Sequence, residues 1–181
     1  MAVRIAYETH ATTTDNEAGI ASGWRQGVLS PLGREQAREL GTRRREDGLA
    51  AVVSSDLARS VDTARIAFAG SPVPLHQDPR LRECDYGELT GRPSAELAAL
   101  RPRHLDRPFP GGQSYRDVET ATAALLRDLA TRFDGRRVLL VASTANLWSL
   151  QSLLTGASWP ALLAAPFEWR PGWEFTLPTP R

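Results

Sequence analysis

His10 is the residue of this chain best placed to do chemistry. It lies in Thr9-His10-Ala11, directly after the apolar run Val3-Arg4-Ile5-Ala6-Tyr7, and Thr13, Asp15 and Asn16 follow it. A histidine at a strand end, entering a polar loop, is placed to act as a nucleophile, since one ring nitrogen can hold a proton while the other attacks. Ser143 stands at a second strand end, after Val138-Leu139-Leu140-Val141-Ala142. No Gly-x-Ser-x-Gly elbow surrounds it, so it reads as a small residue and not as a serine nucleophile. The remaining reactive types read as structural. His76 sits between Leu75 and Gln77 in a strand, and His104 reads as an exposed histidine in an Arg/Pro-rich loop. Trp169 and Trp173 read as packing and Cys84 as a small buried filler.

The elements that must position His10 follow from the hydrophobic pattern. Strands are expected at Val3–Glu8, Ala50–Ser54, Pro74–Gln77, Arg137–Ala142 and Glu174–Leu177, the clearest being the continuous apolar Val138–Val141. One helix is expected from Ser30 as N-cap, with Pro31 in its first turn, to near Gly48. A second runs from Asp56 as cap to about Ala67. A third starts at Ser114 with Asp117 as its capping-box partner and ends before Gly135. A fourth runs from about Ala145 to Leu154 and stops at Gly156. Strands alternating with helices predict an α/β three-layer sandwich, a mostly parallel central sheet flanked by helices. Sites in such folds lie at the carboxyl ends of strands, where His10 and Ser143 both fall. The Pro- and Arg-rich stretch from Gly91 to Gly112 reads as a small inserted lid, about residues 91–113, of loops and a short helix. There is no internal repeat, and residues 1–181 read as one domain.

Four segments, in order along most of the chain, carry a family resemblance. The first is Thr9-His10-Ala11 with Asn16, then Gly23-Trp24 and Leu29-Ser30-Pro31-Leu32-Gly33 with Gln36-Ala37. The second is Ser55-Asp56-Leu57-Ala58-Arg59-Ser60-Val61-Asp62-Thr63-Ala64. The third is Leu81-Arg82-Glu83-Cys84-Asp85-Tyr86-Gly87-Glu88-Leu89-Thr90-Gly91. The fourth is Val138-Leu139-Leu140-Val141-Ala142-Ser143-Thr144-Ala145-Asn146. Together they resemble the histidine phosphatase superfamily, the phosphoglycerate mutase-like proteins.

That resemblance implies roles. His10 matches the nucleophile that forms a phosphohistidine and so divides one hard hydrolysis into two steps. Arg59 matches the phosphate-binding arginine, and its place in the first turn of a helix adds N–H donors nearby. Glu83 matches the acid that protonates the leaving oxygen. Asn16 adds an amide donor. Two positions depart from the pattern: Thr9 stands where the family has an arginine, and Ser143 where it has its second histidine. Losing one preorganised oxyanion donor costs roughly 2.7–4 kcal/mol, so weakened or altered phosphatase activity is expected unless other donors substitute. Arg25, Arg82, Thr13, Ser143 and Thr144 are the candidates, and the helix after Ser143 is expected to keep a weak anion site at its N-terminus.

The expected activity is hydrolysis of a small phosphomonoester through His10. One alternative is an enzyme repurposed on the same fold, with His10 and Glu83 as acid and base in a cyclisation, dehydration, isomerisation or hydrolysis of a biosynthetic intermediate. Another is a non-catalytic relative. No metal or cofactor is called for, and the partner is expected to be a small anionic substrate. A net charge of +1 argues against nucleic acid or a membrane surface as partner. A homodimer is compatible with these features. With 41% hydrophobic and 24% charged residues the chain has an ordinary globular composition. Every basic residue other than the histidines is arginine and alanine is abundant, which suggests a GC-rich bacterial genome. A single cysteine excludes an internal disulfide and fits a reducing cytoplasm. No apolar run reaches the roughly 20 residues of a membrane span, and the first residues carry no signal-peptide pattern.

Overall fold

The computed structural model describes residues 1–179. Five strands, β1 (Ala2–Thr9), β2 (Ala51–Ser54), β3 (Leu75–Gln77), β4 (Arg137–Ala142) and β5 (Trp173–Pro178), form one sheet in the order β3-β2-β4-β1-β5. β4 is central and pairs in parallel with β1 and β2; β5 alone runs antiparallel, along the outer edge of β1. The register Thr9↔Ala142 brings the carboxyl ends of β1 and β4 level, so His10 and Ser143 leave the sheet side by side. The His10 N–H donates to the Ala142 carbonyl at 2.8 Å and ties the two exits together.

Seven α-helices, α1 (Thr14–Glu17), α2 (Pro31–Arg44), α3 (Ala58–Ala67), α4 (Ser94–Leu100), α5 (Tyr115–Arg132), α6 (Thr144–Thr155) and α7 (Trp159–Ala164), surround the sheet among the described residues. The two-residue period of β4 divides the core. Val138, Leu140 and Ala142 pack with Leu125, Leu126 and Leu129 of α5 and with Leu147 and Leu150 of α6. Leu139 and Val141 pack with Leu40 of α2 and with Ala64 and Ala67 of α3 on the other face. This is the expected three-layer α/β sandwich. A third apolar cluster joins the stretch after β3 to α5 and α6, with Leu97, Phe109, Tyr115, Trp148 and Trp159 at its heart. It seats the 91–113 segment, which consists of α4, a 3-10 turn at Arg101–His104 and connecting loops. No helix among the described residues is long and apolar enough to cross a membrane.

Local signals set most boundaries. Ser30 caps α2 through its hydroxyl, and Ser114 and Asp117 form the capping box of α5. Gly156 ends α6 in the left-handed conformation at φ 73°. Two expectations need correction. Asp56 does not cap α3; Leu57 holds that position with no side-chain bond, and Asp56 is turned to Arg82. The short helix α7 was not anticipated: its Trp159-Pro160 opening is a legitimate helix start, but the run is only 6 residues long.

Candidate active site

The carboxyl ends of β1 and β4 open into a cavity of about 440 Å³. Of the residues anticipated from sequence, His10, Arg59, Glu83, Thr9, Asn16, Ser143 and Thr144 line it. Thr13, Arg25 and Arg82 lie outside the lining. Thr13 is buried as the N-cap of α1, its hydroxyl accepting from the Asn16 N–H at 3.0 Å. Arg25 is exposed and packs on Gly91. Arg82 is clamped by Asp56, at 2.7 and 2.6 Å, and lies over the Trp24 ring.

The His10 ring is oriented from behind. Its Nδ1 lies 2.8 Å from the Ala11 carbonyl, and a carbonyl can only accept, so Nδ1 carries the proton and Nε2 keeps its lone pair. Burial, reinforced by the Arg59 charge, pushes the imidazole down to about 3. The ring is therefore neutral throughout the physiological range, as a nitrogen nucleophile must be. The loop behind it is pinned by Gly33: a Cβ there would stand 1.9 Å from the Thr12 carbonyl oxygen. The Thr12 N–H donates to Gln36 of α2.

Arg59 is 2% exposed, and its terminal nitrogens donate to the Gly23 and Arg25 carbonyls at 2.7 and 2.5 Å. Those carbonyls fix the direction of the guanidinium and leave it further N–H donors for a ligand. The helix start around Arg59 is already occupied. The Ala58 N–H donates to the Gln26 side chain, and the Arg59 N–H to the Gln26 carbonyl. The expected extra N–H donors at the start of α3 are thus absent.

Glu83 stands at the head of α6. Its carboxylate accepts the Cys84 N–H at 2.7 Å and lies close to the Ala145 N–H. Burial nevertheless outweighs these bonds and the Arg59 and Arg101 charges, and raises its pKa. That is the direction an acid needs in order to hold a proton near neutrality. The same contact changes the α6 N-terminus. The Ser143 N–H is engaged by the Asn146 side chain at 3.1 Å and Glu83 stands close to the Ala145 N–H, so the anion site expected there is partly occupied from within. The Tyr7 hydroxyl holds the Ser143 carbonyl at 2.5 Å, while the buried Ser143 Oγ faces the Asn146 N–H in the capping box of α6 and its O–H proton has no acceptor. The Asn16 Oδ1 accepts from Thr13 N–H, which leaves its amide N–H₂ available as a donor.

Sequence reasoning missed the outer part of the cavity. Arg101 of the 3-10 turn, Arg43 and Glu39 of α2, and Phe167 and Trp169 of the connection to β5 also line it. The Arg43 guanidinium lies 5.8 Å from the Trp169 ring centroid and pairs with buried Glu8 at 3.0 Å. Trp169, read from sequence as packing, is 58% exposed at the cavity mouth, whereas Trp173 is in the core. His104 lies off the cavity, stacked on Phe109, and His76 is exposed on β3. In all, the lining carries the carboxylates Glu8, Glu39 and Glu83 against the guanidiniums Arg43, Arg59 and Arg101. With Thr9 and Ser143 in place of potential cations, the cavity is close to electrically balanced.

A sheet of this order, with a histidine at the exit of β1 and an arginine and a glutamate converging on it, defines a histidine-phosphatase-type enzyme. Residues 9–168 match the model of the histidine phosphatase superfamily (branch 1), and the chain belongs to that superfamily, with phosphoryl transfer as its chemistry. It is 31% identical over 155 residues to the protein named probable phosphoglycerate mutase GpmB of Enterobacter sp. (strain 638), covering 81% of this chain and 72% of that relative. Among solved structures, it superposes on Bacillus stearothermophilus YhfR with a TM-score of 0.82 and 26% identity, over 93% of this chain and 88% of that one. A mycobacterial glucosyl-3-phosphoglycerate phosphatase gives a TM-score of 0.78 and 26% identity, over 91% and 84% of the two chains.

Proposed function

We propose that the chain hydrolyses a small phosphomonoester by transient phosphorylation of His10. The observation that carries this reading is the His10 ring itself: neutral, with Nδ1 donating to the Ala11 carbonyl and Nε2 free at the cavity wall. Nε2 attacks phosphorus in line with the ester oxygen; the P–O bond breaks, and the leaving oxygen takes the proton of Glu83. Arg59 and the Asn16 amide hold the phosphoryl oxygens as charge spreads over them. In the second step the Glu83 carboxylate accepts a proton from water, which attacks the phosphohistidine, releases phosphate and restores the enzyme. Support from outside the site comes from the mycobacterial phosphatase, a structure of which is described as a complex with VO3, an analogue of the transferring phosphoryl group. The reading includes weakened activity, because Thr9 and Ser143 supply no charge.

The test is a brief pulse with a panel of radiolabelled phosphomonoesters, in metal-free buffer, followed by gel analysis at alkaline pH. Label held by the wild type in an acid-labile form, and absent from His10→Ala, is the expected result. No label and no turnover across the panel would overturn it.

The near balance of charge around the cavity favours a second reading, in which His10 and Glu83 act as base and acid on an intermediate that is not a phosphate ester. The variants Thr9→Arg and Ser143→His separate the two. A gain of about 10-fold or more in phosphatase kcat/KM places a phosphatase frame beneath this chain. No gain, together with no competition by inorganic phosphate, favours the second reading.

A further inference from the structure

The cations of the cavity are not equivalent. Arg43 is paired with Glu8, which it shares with Arg44, and Arg59 is braced by two carbonyls. Arg101 makes no ion pair or side-chain hydrogen bond among the described residues, and its Nε is buried without a partner. It is held by stacking alone, its guanidinium 5.1 Å from the centroid of the Trp148 ring. Trp148 stands on the first turns of α6, so the stack sets Arg101 beside the head of that helix. There the Ser143 hydroxyl, 2% exposed, faces the Asn146 N–H in the capping box of α6, and its own O–H proton has no acceptor. Both residues line the same cavity. Leaving a buried donor unsatisfied is costly, and two residues that each carry one line the same cavity, which calls for a ligand that satisfies both.

We propose that Arg101 and the Ser143 hydroxyl form an oxyanion cradle, through which the 91–113 segment supplies the positive charge that positions 9 and 143 lack. This deepens the phosphatase reading and rests on it for the identity of the substrate. The ligand is an anionic group of the substrate: the phosphoryl oxygens at His10, or a carboxylate carried by the leaving alcohol. Either offers the acceptor pair that a guanidinium and a hydroxyl can hold together. The Arg101 charge also acts on Glu83, so the cradle and the acid belong to one cavity.

The test uses Arg101→Met, which keeps an apolar stem against Trp148, Arg101→Lys, which keeps the charge, and Ser143→Ala. Orthovanadate binding is measured by calorimetry. kcat/KM is measured for two esters of matched leaving-group pKa, one with a neutral alcohol and one bearing a carboxylate. Unchanged unfolding midpoints establish that each variant is folded. The expected result is a loss of 10-fold or more for Arg101→Met, a smaller loss for Arg101→Lys, and a loss for Ser143→Ala that does not add to that of Arg101→Met. If vanadate and both esters weaken together, the cradle holds the phosphoryl group. If only the carboxylate ester weakens, it holds the leaving group. Arg101→Met equal to wild type in all three measurements overturns the proposal. That result beside an intact phosphohistidine signal would leave the His10 reading standing. Weakened vanadate binding with no phosphohistidine would sink the His10 reading and leave the cradle.

Discussion

Asp56 holds Arg82 by one edge of its guanidinium, Oδ1 accepting from Nε at 2.7 Å and Oδ2 from Nη2 at 2.6 Å. The pair joins the turn before α3 to the residue preceding Glu83, and the Arg82 carbonyl accepts from the Asn146 side chain of α6 at 3.0 Å. Arg82 is thereby held out of the cavity while the next residue is turned into it. Asp56→Asn is expected to cost about 1 kcal/mol at pH 7, since the pair is bidentate and only partly exposed. The Arg82 bond lowers the Asp56 pKa, so this stability is present above the ordinary aspartate range and is lost as pH falls through the depressed value. Urea unfolding of both proteins at pH 7 and pH 3 checks this: the gap between them should narrow in acid.

The low pKa of His10 acts in the same direction, although the group is basic. Below the ordinary value of 6.5 the unfolded chain binds a proton that the folded imidazole refuses until about pH 3. Folding stability should therefore fall as pH drops from 6.5 toward 3, by up to about 1.4 kcal/mol per pH unit from this residue. His10→Asn should remove that slope. Denaturant midpoints of wild type and variant across pH 7 to 4 should converge, and parallel curves would show that the ring is not protected.

Kinetics should report the same ionisations. With His10 neutral down to about 3, kcat/KM should show no acid limb near 6.5. The decline should come on the alkaline side, as Glu83 loses the proton that burial helps it retain. Glu83→Gln should lower kcat/KM, which reports the phosphorylation step, by about 10²–10⁴ for an alkyl phosphate and far less for p-nitrophenyl phosphate, whose leaving group needs no proton. Equal losses on both esters would remove Glu83 from the role of acid.

Gly33 gives a packing test of the nucleophile loop. Its Cα faces the Thr12 carbonyl so closely that an added Cβ would meet the oxygen at 1.9 Å. Gly33→Ala must move either α2 or the loop that holds His10, at a cost of about 1–3 kcal/mol. Thermal unfolding and kcat measured on the same variant should both fall; an unchanged melting temperature would mean that the loop yields freely.

The features legible in the sequence were those set by neighbours along the chain. The unbroken apolar run Val138–Val141 could only be a strand buried on both faces, and it is the centre of the sheet. Ser114 with Asp117, and Gly156 after α6, act within four residues and appear as read. Asp56 shows the limit of such reading. Its type and position suit an N-cap, yet a charge 26 residues away is the stronger partner. Arginine placement failed in the same way. Arg25 and Arg82 lie next to site motifs and point elsewhere, whereas Arg101, in a segment without a motif, faces the cavity.

The sequence by itself determined the family, through the resemblance of its four motif segments, and the alternating α/β order and the placing of His10 at a strand end, because periodicity and short-range capping are properties of contiguous residues. Only the tertiary structure decided which cations remain free to meet an anion. A guanidinium's role depends on what competes for it, and the competitors here come from distant segments: Asp56 for Arg82, Glu8 for Arg43, and among the described residues nothing but the Trp148 ring for Arg101. Folding also placed Glu83 beside the head of α6, close to the Ala145 N–H.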